Sequence, residues 1–357
     1  MRILSIGTDR KLFEEGSAVR MRQKAYAEKL GSLDIIVFSK GGGPQIIQGG
    51  SVQVLSTASA TKLLYGWDAW RMAKTLPRSD VVTAQDPFET GLISLFIARM
   101  LGVPLHVQVH TDFLMKGFVN PSFSVRGILN RVRRWIAWFV LRRAARIRVT
   151  LERTKDELVR RGIKAPITVL PIFVDVARFA AIPRTKHPKW KIAALCVGRL
   201  EKEKRFELAI DAVAAARKKG HDIGLTVVGS GSQLPILRER AMRAGIIDRV
   251  EFAGWQGSTL PFYSTADIVI VPSQYEGYGL VIIEALAAGI PVLATDVGVA
   301  REAGAIVVGA KEFPQALLRW IENGPRQAAL AQAPYNDQND YIERYCDDIA
   351  AASRPVL

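Results

Sequence analysis

The chain has 357 residues, 49% hydrophobic and 23% charged, with a mean hydropathy of +0.11. That is long enough for two ordinary domains, too apolar for a disordered chain, and without the ~20-residue apolar stretch a spanning helix needs. Lys and Arg outnumber Asp and Glu by 27 to 13 over residues 1–174 but by only 22 to 21 over residues 175–357, so the amino-terminal half faces something acidic.

Met1-Arg-Ile-Leu-Ser-Ile-Gly7 begins as a strand rather than a cleavable signal, which predicts a cytoplasmic protein. A loop, Thr8 to Ser17, then leads into a helix over Ala18–Leu30, with Gly16-Ser17 at its entrance and Ser17 suited to cap it. Strands follow at Asp34–Ser39 and Val52–Leu55, then a helix around Trp67–Leu76, a strand at Val81–Ala84 and a helix over Thr90–Leu101. The next strand, Val103–Val109, ends at His110, at the carboxyl edge where ligands of open α/β sheets gather. His106, inside that strand, packs or faces solvent.

Residues 126–148 carry eight Arg and no acidic residue. Ile128, Leu129, Val132, Trp135, Ile136, Phe139 and Val140 mark one helical face, expected to pack on the sheet, while Trp138 and Leu141 lie off it among the arginines. Two readings stand: a basic helix on an anionic membrane surface, and a packed helix with a solvated basic face. Nucleic acid is not expected, because no zinc spacing, aromatic binding motif or recognition-helix pattern accompanies the charge. Arg146–Leu151 leads into a strand, Glu152–Arg161 into a helix, and Ile167–Asp175 closes the first domain. A polar, Pro-bearing stretch over residues 181–189 reads as the linker.

Lys191–Val197 is the first strand of the second domain, followed by the loop Gly198-Arg199-Leu-Glu-Lys-Glu-Lys204. Cys196, on that strand, and Cys346 read as buried, inert thiols. A helix over Glu207–Lys219 and a strand over Gly224–Val228 precede the tight turn Gly229-Ser-Gly231. That turn is not a dinucleotide fingerprint, because Leu234 stands where the third glycine belongs. Gln233–Ala244 is helical, Val250–Gly254 a strand and Thr259–Thr265 a short helix.

Asp267 to Gly298 forms one βαβ unit: a β-branched strand stopped by Pro272, a loop over Ser273–Tyr278, a helix opening at Gly279, and a strand at Val292–Ala294. A helix opening directly after a parallel strand aims free N–H groups and the positive end of its dipole beyond the strand, which is an anion site. Gly277 and Gly279 let an anion reach the backbone. Glu276 in the loop and Glu284 two turns into the helix are placed to hold hydroxyl groups on either side of a phosphate, a pattern that suits a nucleotide sugar.

Glu276-Gly-Tyr-Gly-Leu-Val-Ile-Ile-Glu284 resembles the Glu-x7-Glu signature of the family 4 glycosyltransferases, among them bacterial membrane-associated mannosyl and glucosyl transferases. The resemblance is strong over residues 190–310 and weaker before. It implies the α/β GT-B fold: two Rossmann-like, doubly wound parallel-sheet domains with a cleft between them, here residues 1–180 for the acceptor and 181–335 for the donor. Residues 336–357, with Asp340–Ala351 resembling the family's closing helix, would cross back to the first domain.

Residue by residue, the resemblance makes Arg199 and Lys204 the grip on the donor diphosphate, with Gly16 bringing a backbone N–H near it. Ala253 would meet the base through its backbone, Glu276 the sugar and Glu284 the ribose, with Gly277, Tyr278, Gly279 and Leu280 lining the donor. Val109-His110-Thr-Asp112-Phe113 resembles the acceptor-side motif and places His110 by the transferred sugar. His110, Glu276, Arg199 and Lys204 are the implied catalytic set. Arg205 stands where relatives usually have Gly, and Pro171-Ile-Phe-Val-Asp175 where many carry Pro-Asn-Gly-Val-Asp.

The implied reaction is transfer of a sugar from a nucleotide diphosphate, with retained configuration, to a lipid-linked or glycan acceptor in cell-surface polysaccharide or glycolipid synthesis. No Asp-x-Asp occurs, which implies a metal-independent enzyme with no cofactor beyond its nucleotide-sugar substrate. No carboxylate suited to double displacement stands out, so the family's front-face mechanism is expected. UDP, GDP, ADP and dTDP all remain open as the nucleotide. The alternative is a non-catalytic basic nucleotide- or polyanion-binding Rossmann protein; a Rossmann oxidoreductase would need a Gly-x-Gly-x-x-Gly after the first strand, which is missing.

Overall fold

The computed structural model describes residues 1–43, 45–111, 113–115, 118 and 125–354, with side chains from 127 onward in the last stretch. Asp112 and the side chain of Arg126 lie outside the described residues. The chain forms two compact units, Met1–Pro171 with Tyr335 onward, and Ile172–Pro334.

The first unit runs β1 (Arg2–Gly7), α1 (Ala18–Leu30), β2 (Ser32–Val37), β3 (Ile46–Gly49), β4 (Val52–Ser56), α2 (Tyr65–Thr75), β5 (Val81–Ala84), α3 (Glu89–Leu101), β6 (Leu105–Val109), α4 (Val125–Leu141), β7 (Arg146–Val149), α5 (Glu152–Arg160) and β8 (Ile167–Val169). Its sheet order is β3-β4-β2-β1-β5-β6-β7-β8, parallel except for the antiparallel edge strand β3. Only four residues long and alternately exposed, β3 had no apolar run to mark it in the sequence. The order reverses between β1 and β5, the switch point at whose carboxyl ends such sheets bind ligands.

Alternation along β6 and β7 explains how the two faces are covered. Leu105, Val107 and Val109 with Ile147 and Val149 join one apolar cluster with residues of α2 to α5. His106, Gln108, Arg146 and Arg148 point the other way, where the last helix of the chain meets them. Arg146 and Arg148 are therefore strand residues, not part of a basic helix, and Arg148 is buried.

Within α4 the buried residues are Gly127, Ala137, Val140 and Leu141, whereas Ile128, Leu129, Val132 and Trp135 are 45–68% exposed. The stripe expected to pack on the sheet is divided: Ile136, Phe139 and Val140 pack on the apolar cluster, while Ile128, Leu129, Val132 and Trp135 face out. A Cβ on Gly91 of α3 would lie 3.3 Å from Val140 Cγ1, so α3 and α4 approach closely there.

The second unit runs α6 (Val176–Ala180), β9 (Ile192–Val197), α7 (Glu207–Lys218), β10 (Ile223–Val228), α8 (Leu234–Arg243), β11 (Val250–Gly254), α9 (Leu260–Thr265), β12 (Ile268–Val271), α10 (Leu280–Ala287), β13 (Val292–Ala294), α11 (Ala300–Ala303), β14 (Ile306–Val307) and α12 (Phe313–Asn323). Its sheet, β11-β10-β9-β12-β13-β14, is wholly parallel and reverses between β9 and β12. Because α6 packs on α10, the division between units falls at Pro171 rather than at residue 180. The final helix, α13 (Gln338–Ala351), belongs to the first unit and packs on α1.

Asp348 is the polar centre of that docking. Its Oδ2 lies 3.0 Å from His106 Nε2 and its Oδ1 accepts from Arg146 Nε at 2.5 Å. Tyr26 of α1 stacks on Tyr345 at 4.2 Å. Burial alone would raise the Asp348 pKa, but the bonds and charge of His106, with Thr168 and Arg146, outweigh it and hold the carboxyl at about 2. A depressed carboxylate contributes stability above its unfolded pKa near 3.8, and that contribution is lost as pH falls toward 2. Asp348→Ala leaves the buried His106 and the half-buried Arg146 without their carboxylate and should cost about 3 kcal/mol, read as a lower urea midpoint at neutral pH. An unchanged midpoint would mean that α13 is held by its aromatic residues alone.

Candidate functional site

The two loops that leave the second sheet at its reversal point, after β9 and after β12, are fastened to each other. Gln274 N donates to Glu203 O at 2.7 Å, and the Arg205 guanidinium donates to Pro272 O and Ser273 O at 2.9 and 3.1 Å. Arg205 takes a left-handed φ of +48°, which accounts for a glycine being the easier residue there; this chain accepts the strained backbone and gains two bonds. Gly229 and Gly231 act as spacers, since a Cβ on Gly229 would lie 1.9 Å from Gly198 O and one on Gly231 2.4 Å from Leu200 O. On the far side a Cβ on Gly298 would lie 2.2 Å from Tyr278 O, while Val299 N donates to that same carbonyl at 2.8 Å.

This fastening brings Lys204 and Glu276 together. Lys204 Nζ lies 2.6 Å from Glu276 Oε1, which also accepts from Ser273 Oγ at 2.7 Å. Glu276 Oε2 makes no hydrogen bond among the described residues. Arg199 extends into solvent, its side chain 73% exposed and 3.6 Å from Glu203 Oε1, and Lys202 is exposed as expected. Gly279, at φ +96°, turns the chain into α10, whose first N–H groups have no partner inside the helix.

Glu284 lies one side of α10, where its Oε2 accepts from Tyr263 Oη at 2.6 Å. Burial raises its carboxyl above the usual range, against the opposing pull of that bond. Tyr278 is buried, its hydroxyl pushed up to about 12 by burial and by Glu302, whereas Leu280 stays 36% exposed. At the end of β11 the Ala253 carbonyl accepts from Gln256 Nε2 at 2.6 Å, beside Trp255, which is 71% exposed. Tyr263 is the contact that motif reading passed over, and the bonds of Arg205 are what it did not foresee. Arg205 was signalled by its departure from glycine; Tyr263 had no signal, because its partner lies 21 residues away.

His110 and Gly16 belong to the first unit. Gly16 is exposed at φ +73°, and Ser17 caps α1 by accepting from Arg20 N. His110 Nε2 lies 3.1 Å from Gln108 Oε1, and its Nδ1 is enclosed with no hydrogen-bond partner among the described residues. Burial above all, then the charges of Arg148, His106 and Arg22, lower its pKa to about 3. The imidazole is thus neutral, with Nε2–H donating to Gln108 and the Nδ1 lone pair free for a ligand hydroxyl. Asp86, just past β5, is a further buried carboxyl, raised chiefly by burial despite bonds from Thr90 and Phe88.

Residues 178–336 match the family of glycosyl transferases group 1, and residues 24–172 match a glycosyl transferase 4-like domain. The chain is 31% identical over 279 residues to a lipopolysaccharide core biosynthesis mannosyltransferase of Rhizobium meliloti, covering 71% of this chain and 78% of that one. It is 29% identical over 239 residues to the alpha-monoglucosyldiacylglycerol synthase of Streptococcus pneumoniae, covering 60% of this chain and 51% of the synthase. Among solved structures, Anabaena HepE in complex with UDP superposes with a TM-score of 0.66 at 16% identity, covering 99% of this chain and 97% of that one.

A neutral, enclosed His110 has a pH signature. The unfolded chain binds a proton at about 6.5 while the folded one binds it only near 3, so stability is lost as pH falls below 6.5. In a titration followed by nitrogen chemical shifts the His110 ring should keep its Nε2–H form well below pH 6.5, and His110→Gln should remove its share of the acid sensitivity. A ring that protonates near 6.5 would contradict the enclosed placement.

Proposed function

Because the chain belongs to the glycosyl transferases group 1 family and carries the GT-B fold, we propose that it transfers a hexose, with retained configuration and without a metal, from a nucleotide diphosphate to a lipid-linked or glycan acceptor. The observation that carries this reading is the Lys204–Glu276 pair beside the start of α10. The relatives' names, a lipopolysaccharide core enzyme and a glycolipid synthase, support the acceptor class. A non-catalytic basic binding protein is not favoured.

Lys204 gives one of its three N–H donors to Glu276 and keeps two for the diphosphate. Arg199 and the α10 amino terminus add positive charge where the leaving group becomes more negative. Glu276 Oε2 is open to a sugar hydroxyl, and Glu284, steadied by Tyr263, to the ribose. The bond between the anomeric carbon and the phosphate oxygen breaks, the acceptor oxygen bonds on the same face, and the departing diphosphate takes the acceptor's proton. His110 is assigned to the transferred sugar or acceptor, with Nδ1 as the accepting atom.

Arg199→Ala and Lys204→Ala should each weaken the nucleotide sugar about tenfold or more in calorimetry, since a charge-assisted contact is worth about 1.5–3 kcal/mol. Glu276→Gln should keep the nucleotide and lose turnover, and a chelator should leave wild-type turnover unchanged. Binding unchanged by both cation variants would remove the diphosphate assignment.

The same proposal places the first unit on an anionic membrane. Ile128, Leu129, Val132 and Trp135 of α4 are exposed, as are Phe96 of α3 and Trp67 of α2, on three helices packed side by side. An exposed apolar face rimmed by cations matches a lipid interface. The chain should sediment with anionic vesicles and less so as salt rises, and with neutral ones weakly. No binding to either would leave the outward stripe without a lipid role.

A further inference from the structure

At the carboxyl end of α4 the outward stripe runs into a cavity of about 600 Å3 lined by Trp135, Trp138, Phe139, Arg142, Arg143 and Arg161. Three guanidinium groups gather there on aromatic faces. Arg142 and Arg161 sit over the one Trp138 ring at 5.9 and 5.4 Å, and Arg143 over Phe139 at 3.8 Å. Trp135 stacks on Phe139 at 5.9 Å and is 68% exposed.

From this arrangement we infer a second anion site, for the phosphate of a lipid headgroup, at the end of the apolar stripe. It rests on the membrane reading above and adds a defined headgroup pocket to it. Arg161 is partly neutralised by Glu157, 2.5 Å away. Arg142 and Arg143, both exposed, have no carboxylate partner among the described residues, so the group presents net positive charge to an anion from outside. The carboxyl end of α4 compensates only part of this charge: Arg143 Nη1 donates to Phe139 O at 3.0 Å and leaves its other N–H groups for a ligand. Planar guanidiniums held on rings present their edges to a phosphate as paired donors.

The cavity is not a part of the sugar-transfer site. α4 has 17 residues and runs back along the sheet, so its end lies roughly 25 Å from its beginning, at the sheet's amino edge and opposite to His110. The neighbouring stripe decides the source of the phosphate. A free phosphate or nucleotide would leave Ile128, Leu129, Val132 and Trp135 in water, whereas a phospholipid places acyl chains on the stripe and its headgroup among the arginines.

The test compares wild type, Arg142→Gln with Arg143→Gln, and a charge-matched control, Arg131→Gln with Arg134→Gln, on the same helix outside the cavity. Each is sedimented with phosphatidylcholine vesicles, with and without phosphatidylglycerol, after its melting temperature is matched to wild type. Two diffuse near-surface cations account for about a thirtyfold loss, so the pocket pair, with paired donors on one phosphate, should weaken binding to the anionic vesicles by more than about thirtyfold. The control should weaken it clearly less. Equal losses in the two variants would overturn the pocket and leave a diffuse basic face, while a wild type that ignores anionic vesicles would overturn the membrane reading as well. Inorganic phosphate is titrated in calorimetry without vesicles: little heat supports the lipid source, and tight binding overturns it.

Discussion

The bond between Lys204 and Glu276 joins the two loops that leave the second sheet where its strand order reverses, and the candidate site depends on it. A cation and a carboxylate would each be costly to hold half-buried and alone. Paired at 2.6 Å, they neutralise each other until a ligand takes over part of the contact. Arg205, Gln274 and the glycines at 229, 231 and 298 set the distance between the loops, so a change at any of them acts on the pair. The site is preorganised by backbone contacts rather than by side-chain choice, which suits electrostatic stabilisation of a leaving group.

In the first unit the same economy of charge takes another form. Arg146 and Arg148 lie under α13, where Asp348, Tyr341 and Tyr345 receive them together with His106. The arginines of β7 therefore hold the closing helix, whereas those of the outer layer of α4 and α5 do not. Gln108 of the same polar face holds His110, whose neutral ring follows from burial and from the nearby cations rather than from its own chemistry.

Most of the element order was legible because buried parallel strands and amphipathic helices leave strong periodic marks. The helix Ala18–Leu30, the strands Arg2–Gly7 and Val81–Ala84, and the βαβ unit around Glu276 stand where the pattern put them. The stretch over residues 126–148 shows where periodicity fails. Its apolar residues do repeat at helical spacing, but spacing cannot say how much of an apolar face meets the core; Ile136, Phe139 and Val140 do, while Ile128, Leu129, Val132 and Trp135 stay outward. Alternation in Arg146-Ile-Arg-Val149 was a strand signal that the arginine run overlapped, and the strand stands there.

Linear pattern was enough for the family and the two parallel sheets, because buried strands, glycine-bounded turns and the Glu276–Glu284 spacing are all local marks. Which side chains meet was decided in three dimensions. Tyr263 on Glu284, Arg205 on the carbonyls of Pro272 and Ser273, Asp348 on His106, and the guanidiniums around Trp138 all join residues from different elements. Such contacts depend on strand order and on the close approach of backbones, and a linear pattern carries neither.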